Sequence, residues 1–139
     1  TYNLFNFSDN ILSYYSKIDL VITRAGSSVL AELLNCKIPF ISIPLPGSAD
    51  EHQYKNAKFF EDKGYALLVE EAEIESKLFS LIKSLHRDRS LLDKIIEKQK
   101  NYSDKDALKK IKFEIENIIL WKKLILEKKK LSILLELEA

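Results

Sequence analysis

Residues 19–57, DLVITRAGSSVLAELLNCKIPFISIPLPGSADEHQYKNA, hold two apolar, β-branched runs, each followed by a Gly or Pro break and then a helical pattern. This order constrains the chain to an α/β fold, because parallel strands need a long crossover and a helix supplies it compactly. The first run, Leu20, Val21 and Ile22, reads as a strand buried on both faces. The chain then turns through Arg24, Ala25 and Gly26 into a helix with Val29, Leu30, Leu33 and Leu34 as its apolar positions. The second run spans residues 39–45 (PFISIPL), is broken by Pro46 and Gly47, and leads to a helix starting near Asp50. Gly64 is a good left-handed end for that helix, and residues 65–70 (YALLVE) read as a third core strand.

The first helix opening carries the chemistry. Gly26 permits a tight turn with close backbone approach, and Ser27 or Ser28 can cap the unpaired amides of the first turn. Free N–H groups and the positive dipole end make such an opening a site for phosphate or pyrophosphate. Glu32 follows Ser28 by four positions and shares its helix face. A carboxylate there repels phosphate but accepts hydrogen bonds from two vicinal hydroxyls, as a ribose presents. The same residues also fit a plain serine cap beside a solvated glutamate.

The second opening strengthens the nucleotide reading. His52, Gln53 and Asn56 fall at helical spacing and project together, offering donors and acceptors to sugar hydroxyls. In a parallel sheet, consecutive strands deliver their following loops to one edge, so both polar openings are expected to face one crevice. Helix capping with an exposed polar face is the competing explanation, and His52 taken alone is an ordinary surface or capping residue.

The strings DLVITRAGSSVLAELL and IPFISIPLPGSADEHQYKNA closely resemble the carboxyl-terminal domain of the MurG family of glycosyltransferases, which add N-acetylglucosamine to lipid I to make lipid II in peptidoglycan synthesis. The matching features are the R-A-G-S turn, a glutamate six residues after that glycine, a proline seven after the glutamate, the P-L-P stretch and H-Q-x-x-N-A. The resemblance runs from about Asn3 to about Ile119. It implies a Rossmann-like parallel sheet flanked by helices, forming part of the second half of a two-domain GT-B enzyme, with residues 120–139 as a helical tail.

Carried over by position, the resemblance implies that Gly26 and the backbone of Ser27, Ser28 and Val29 hold the diphosphate of UDP-N-acetylglucosamine. Glu32 takes the ribose hydroxyls, while Gln53, with His52 and Asn56 beside it, contacts the sugar. Arg24 is expected to support the turn or pair with a neighbouring carboxylate. The family's acceptor domain, its candidate general base and the opening strands of the donor domain have no match here. No catalytic residue is therefore expected in this chain, which alone should be inactive. Lipid I binding would fall to the missing amino-terminal domain, and the family implies peripheral contact with the cytoplasmic face of the bacterial plasma membrane. A donor-binding subunit of a split or glycolipid GT-B transferase, or a non-catalytic remnant, is the alternative.

Composition agrees with one compact unit. The 139 residues are 46% hydrophobic and 31% charged, enough for one core of ordinary domain size. A formal net charge of +1 gives no electrostatic case for nucleic acid. Cys36 is the only cysteine, so no disulfide is possible and a reduced cytosolic setting is the default; His52 and His86 lack metal-ligand spacing, and neither metal nor cofactor is expected. The chain opens at Thr1, contains no methionine and matches its family from mid-domain, which together suggest a fragment.

Further on, apolar Leu78, Phe79, Leu81, Ile82 and Leu85 mark an amphipathic helix over 75–86. Asp88 can cap a second with Leu91, Leu92, Ile95 and Ile96 inward, and Ser103 or Asp104 can start a third containing Leu108, Ile111, Phe113, Ile115 and Ile118. The tail, LWKKLILEKKKLSILLELEA, combines apolar residues with a lysine cluster. It fits a terminal packing helix or an extension better than a membrane-surface helix.

Overall fold

The computed structural model describes residues 4–137, with side chains to residue 126. The chain divides into two compact units, Thr1–Tyr102 and Ser103–Ala139.

The first unit is built on three parallel strands in the order β1-β2-β3: Val21–Thr23, Phe40–Ser42 and Leu67–Leu68. Val21 pairs with Phe40, and Ile41 with Leu67. A short helix α1 (Leu12–Tyr15) precedes β1, α2 (Ser27–Cys36) joins β1 to β2, and α3 (His52–Asp62) joins β2 to β3. After β3 come a π turn (Ile74–Leu78), α4 (Phe79–Arg87) and α5 (Ser90–Lys100).

The alternation of β2 divides the core. Phe40 joins Leu30, Leu33 and Leu34 of α2 and Ala57 and Phe60 of α3, whereas Ile41 and Ile43 join Val69, Leu85 and Leu92 beneath α4 and α5. Successive strand side chains point to opposite faces, so a strand with helices on both sides must be apolar throughout. Of the three strands β2 alone is buried at every residue, and its one polar member, Ser42, is the exception to apolarity, satisfied by donating from Oγ to the Leu67 carbonyl at 3.1 Å. β1 was expected to be buried on both faces, yet Ile22 is 45% exposed. The reason is position: β1 lies at the edge of the described sheet.

The expected helices form with shifted boundaries. Lys63 caps α3 and Gly64 takes the left-handed conformation, φ 71°. Asp88 accepts the Ser90 amide at 2.9 Å but is not the cap of α5, whose N-cap is Arg89 without a side-chain capping bond; on the helix Leu92 and Ile95 are buried but Leu91 is at the surface. Phe79, expected inward, is 75% exposed: Leu78, Leu81, Ile82 and Leu85 complete an apolar i, i+3, i+4, i+7 face, and Phe79 lies about 100° round from Leu78 and off it. Gln99, which no periodicity singles out, is fully buried on α5. Its Nε2 donates to the carbonyls of Ile38 at 3.0 Å and Tyr65 at 2.8 Å, pinning α5 to the chain just before β2 and β3.

The second unit is dominated by α6 (Ala107–Leu137), which runs across residue 119 without interruption. Leu108, Ile111, Phe113, Ile115 and Ile118, the apolar residues of the expected third helix, are all more than half exposed. A 31-residue helix with apolar residues spread around it gives no single buried stripe. The tail side chains beyond residue 126 lie outside those described. No helix among the described residues is long and apolar enough to cross a membrane.

Candidate functional site at the carboxyl edge of the sheet

Both polar helix openings lie at the carboxyl ends of their strands, as the parallel topology requires. β1 ends at Thr23 and leads through Arg24, Ala25 and Gly26 into α2, and β2 ends at Ser42 and leads through the 43–48 loop into α3.

The α2 opening is barer than the sequence suggests. Gly26 is the N-cap, extended at φ −69° and ψ 133°, and no side chain caps the helix. The capping expected of Ser27 or Ser28 is therefore not made, because both already lie inside the helix, where a serine side chain no longer reaches back over the first amides. The first helical bond runs from Leu30 N to Gly26 O at 3.1 Å, leaving the Ser27, Ser28 and Val29 amides ahead of it. Ser27 and Ser28 are exposed, and Val29 is half-buried against the core.

Gly26 has no positive φ, and a methyl added to it would meet only Val29 Cγ1 at 3.8 Å, an ordinary contact. Neither the turn geometry nor internal packing calls for glycine there, contrary to the tight-turn expectation. Open space above a bare helix N-terminus is what close approach of an anion needs.

At the second opening each polar side chain commits one of its ends to the backbone. Gln53 Oε1 accepts the Leu45 amide at 3.0 Å, so its NH2 group remains a donor. Asn56 Nδ2 donates to the Ala25 carbonyl at 3.2 Å, so its Oδ1 remains an acceptor. His52 Nδ1 lies 2.6 Å from the Ala49 carbonyl, which places the proton on Nδ1 and leaves Nε2 as the acceptor of the neutral ring. His52 is exposed, whereas Gln53 and Asn56 are half-buried. Just before them Asp50 and Glu51 are both left-handed, φ 48° and 54°, a conformation that costs a non-glycine residue about 1–2 kcal/mol.

The Asn56 bond brings the two openings together, since it ties α3 to the turn ahead of α2. Arg24 pairs with Glu71, beyond β3, as one of its two expected roles required. Glu32, on the second turn of α2, is half-buried and close enough to Tyr15 for its charge to push that phenol's pKa up. That neighbour was not foreseen, for nothing in the spacing of residues 15 and 32 signals proximity. A groove of about 480 Å³ opens on the same edge, lined by the 44–48 loop, Glu51, Tyr54, Glu70 and Glu71. None of the eight residues nominated from sequence lines it.

The model of the glycosyltransferase family 28 C-terminal domain matches residues 1–111. The chain belongs to this family. Among relatives of the glycosyltransferase family 28 domain, the UDP-N-acetylglucosamine--N-acetylmuramyl-(pentapeptide) pyrophosphoryl-undecaprenol N-acetylglucosamine transferase of Pelagibacter ubique is 40% identical over 101 residues, covering 73% of this chain and 28% of that protein. The protein of the same description from Rickettsia prowazekii is 45% identical over 94 residues, covering 67% of this chain and 24% of the other. The crystal structure of Acinetobacter baumannii MurG is similar with a TM-score of 0.70 and 26% identity, over 84% of this chain and 35% of that one. The three-stranded parallel sheet with its flanking helices is thus part of the family 28 C-terminal domain of the GT-B architecture. The chain spans about a quarter of the length of these curated relatives.

Proposed function

We propose that this chain is the donor-binding part of an inverting glycosyltransferase that moves N-acetylglucosamine from UDP-N-acetylglucosamine to lipid I, giving lipid II. The observation that carries the reading is the pair of helix openings tied edge to edge by Asn56 and Ala25, one bare and open above Gly26, the other presenting a donor and acceptors. Family membership and the descriptions of the relatives support the same chemistry.

In this reading the Ser27, Ser28 and Val29 amides receive the diphosphate, and Glu32 on the next turn takes the ribose hydroxyls. Gln53 donates to a sugar hydroxyl, while Asn56 Oδ1 and His52 Nε2 accept from others. Attack by the O4 hydroxyl of the muramoyl sugar on the anomeric carbon breaks the bond to the diphosphate oxygen and inverts the centre. The α2 dipole and amides stabilise the charge that grows on the departing UDP. The base that takes the O4 proton and the acceptor site belong to a partner domain, which this reading places across the edge. Residues 1–119 form the donor region and 120–139 a helical tail. The complete enzyme works at the cytoplasmic face of the bacterial plasma membrane by peripheral contact.

Calorimetric titration of the chain with UDP and UDP-N-acetylglucosamine tests the reading. Saturable binding that weakens in Glu32→Ala is expected. Equal UDP affinity of Glu32→Ala and the parent would sink the ribose assignment.

A further inference from the structure

Arg24 and Glu71 stand 47 residues apart in the chain, and a guanidinium nitrogen of Arg24 donates to a carboxylate oxygen of Glu71. Arg24 directly follows β1, Glu71 opens the turn Glu71–Glu73 that follows β3, and β2 lies between those two strands. Neighbouring strands are about 4.8 Å apart, so the pair reaches across roughly 10 Å, over the end of β2 where the chain leaves for α3. The turn ahead of α2 is therefore held from two directions. Asn56 of α3 donates to the carbonyl of Ala25, and Glu71 accepts from the side chain of Arg24. The Ser27, Ser28 and Val29 amides come just after this turn, with no side-chain cap to fix them.

We propose that Glu71 is a positioning residue for the diphosphate: through Arg24 it holds the 24–26 turn so that the α2 amides converge on one place. This rests on the reading of the α2 opening as the diphosphate site. Both side chains are partly exposed, and exposed ion pairs add little to stability, so the fold should survive removal of this one. The sign of its effect on binding is the informative quantity. By charge alone, a carboxylate near the site opposes an anion, and its removal should tighten UDP binding. A carboxylate that holds the turn has the opposite effect, and its removal should weaken UDP binding.

The test is calorimetric titration of the full chain with UDP and UMP in the parent, Glu71→Ala, Glu71→Gln, Arg24→Ala and the double alanine variant. Salt at about 0.15 M screens the longer-range charge effects. Each single alanine variant should bind UDP about threefold more weakly, and the double variant no more weakly than either, because both changes remove the same bond. Glu71→Gln loses the charge but keeps an oxygen that can accept from Arg24, and should fall between the parent and Glu71→Ala. The preference for UDP over UMP should narrow in the alanine variants, since the second phosphate depends most on converging amides.

UDP affinity that holds or rises in Glu71→Ala, losses that add in the double variant, or an equal loss for UDP and UMP overturns the role of Glu71 and leaves the diphosphate reading standing. A parent chain that binds UDP no better than UMP, or binds neither, overturns the diphosphate reading and this inference with it.

Discussion

Asn56, on the second turn of α3, donates from Nδ2 to the carbonyl of Ala25 at 3.2 Å, across 31 residues of sequence. One side-chain amide thereby fixes the distance between two helix openings that follow different strands. Removing it in Asn56→Ala should cost about 1 kcal/mol of stability and also loosen the spacing of the two openings, weakening UDP-N-acetylglucosamine binding. Asn56→Asp should be worse at neutral pH, because a carboxylate cannot donate and faces a carbonyl oxygen. The difference should shrink as the aspartate is protonated, which urea titrations at pH 7 and pH 4 would reveal.

Gly26→Ala separates folding from binding. The backbone at Gly26 accepts an alanine, and the added methyl meets only Val29 Cγ1. Reduced unfolded-state freedom and the poorer N-cap quality of alanine oppose each other, so stability should change by less than about 1 kcal/mol. Affinity for UDP should nevertheless fall about tenfold if the diphosphate sits against this backbone. Thermal melts and calorimetry on one preparation give both numbers, and unchanged affinity would mean that no ligand approaches Gly26.

Gln53→Glu keeps an oxygen for the Leu45 amide and replaces the outward NH2 donor with an acceptor. The loop should stay in place while affinity for UDP-N-acetylglucosamine falls toward that for UDP alone. The preference over the epimer UDP-N-acetylgalactosamine should narrow with it. A variant that keeps both the affinity and the preference would remove Gln53 from the sugar site.

Gln99 tests the architecture rather than the chemistry. Gln99→Ala leaves the Ile38 and Tyr65 carbonyls without their donor and opens a cavity, so a loss of roughly 3 kcal/mol is expected. Gln99→Leu retains the volume and also removes Oε1, which has no hydrogen-bond partner among the described residues, and should cost less. Urea denaturation of both variants measures the difference.

Tyr15 gives a pH signature. Burial first, then the neighbouring Glu32 carboxylate, and last the charge of a Cys36 thiolate push its phenol above the ordinary value of 10.0. A raised phenol pKa means the folded state holds the proton more tightly. The associated stability is fully present below the unfolded value and is lost as pH rises through the folded one. In spectra of carbon-labelled tyrosine, Tyr15 should titrate above the ordinary value. Glu32→Gln should bring it only part of the way back, because burial is the largest cause and stays.

Sequence alone carried the order of elements, the parallel sheet and both polar helix openings. Those follow from local patterns: β-branched runs, glycine and proline breaks, and polar residues at helical spacing. The left-handed Gly64 is equally local and is found, and a helix does follow Asp88, starting at Ser90. Tertiary structure decided which strand is buried on both faces, since edge or centre depends on neighbours rather than on the apolarity of a strand. It also decided that Gly26, not a serine, heads α2, and that Phe79 faces outward. The bonds that shape the site, Asn56 to Ala25 and Gln53 to Leu45, join residues on different elements. No periodicity encodes such pairs, because they exist only once packing has brought the elements to a shared edge.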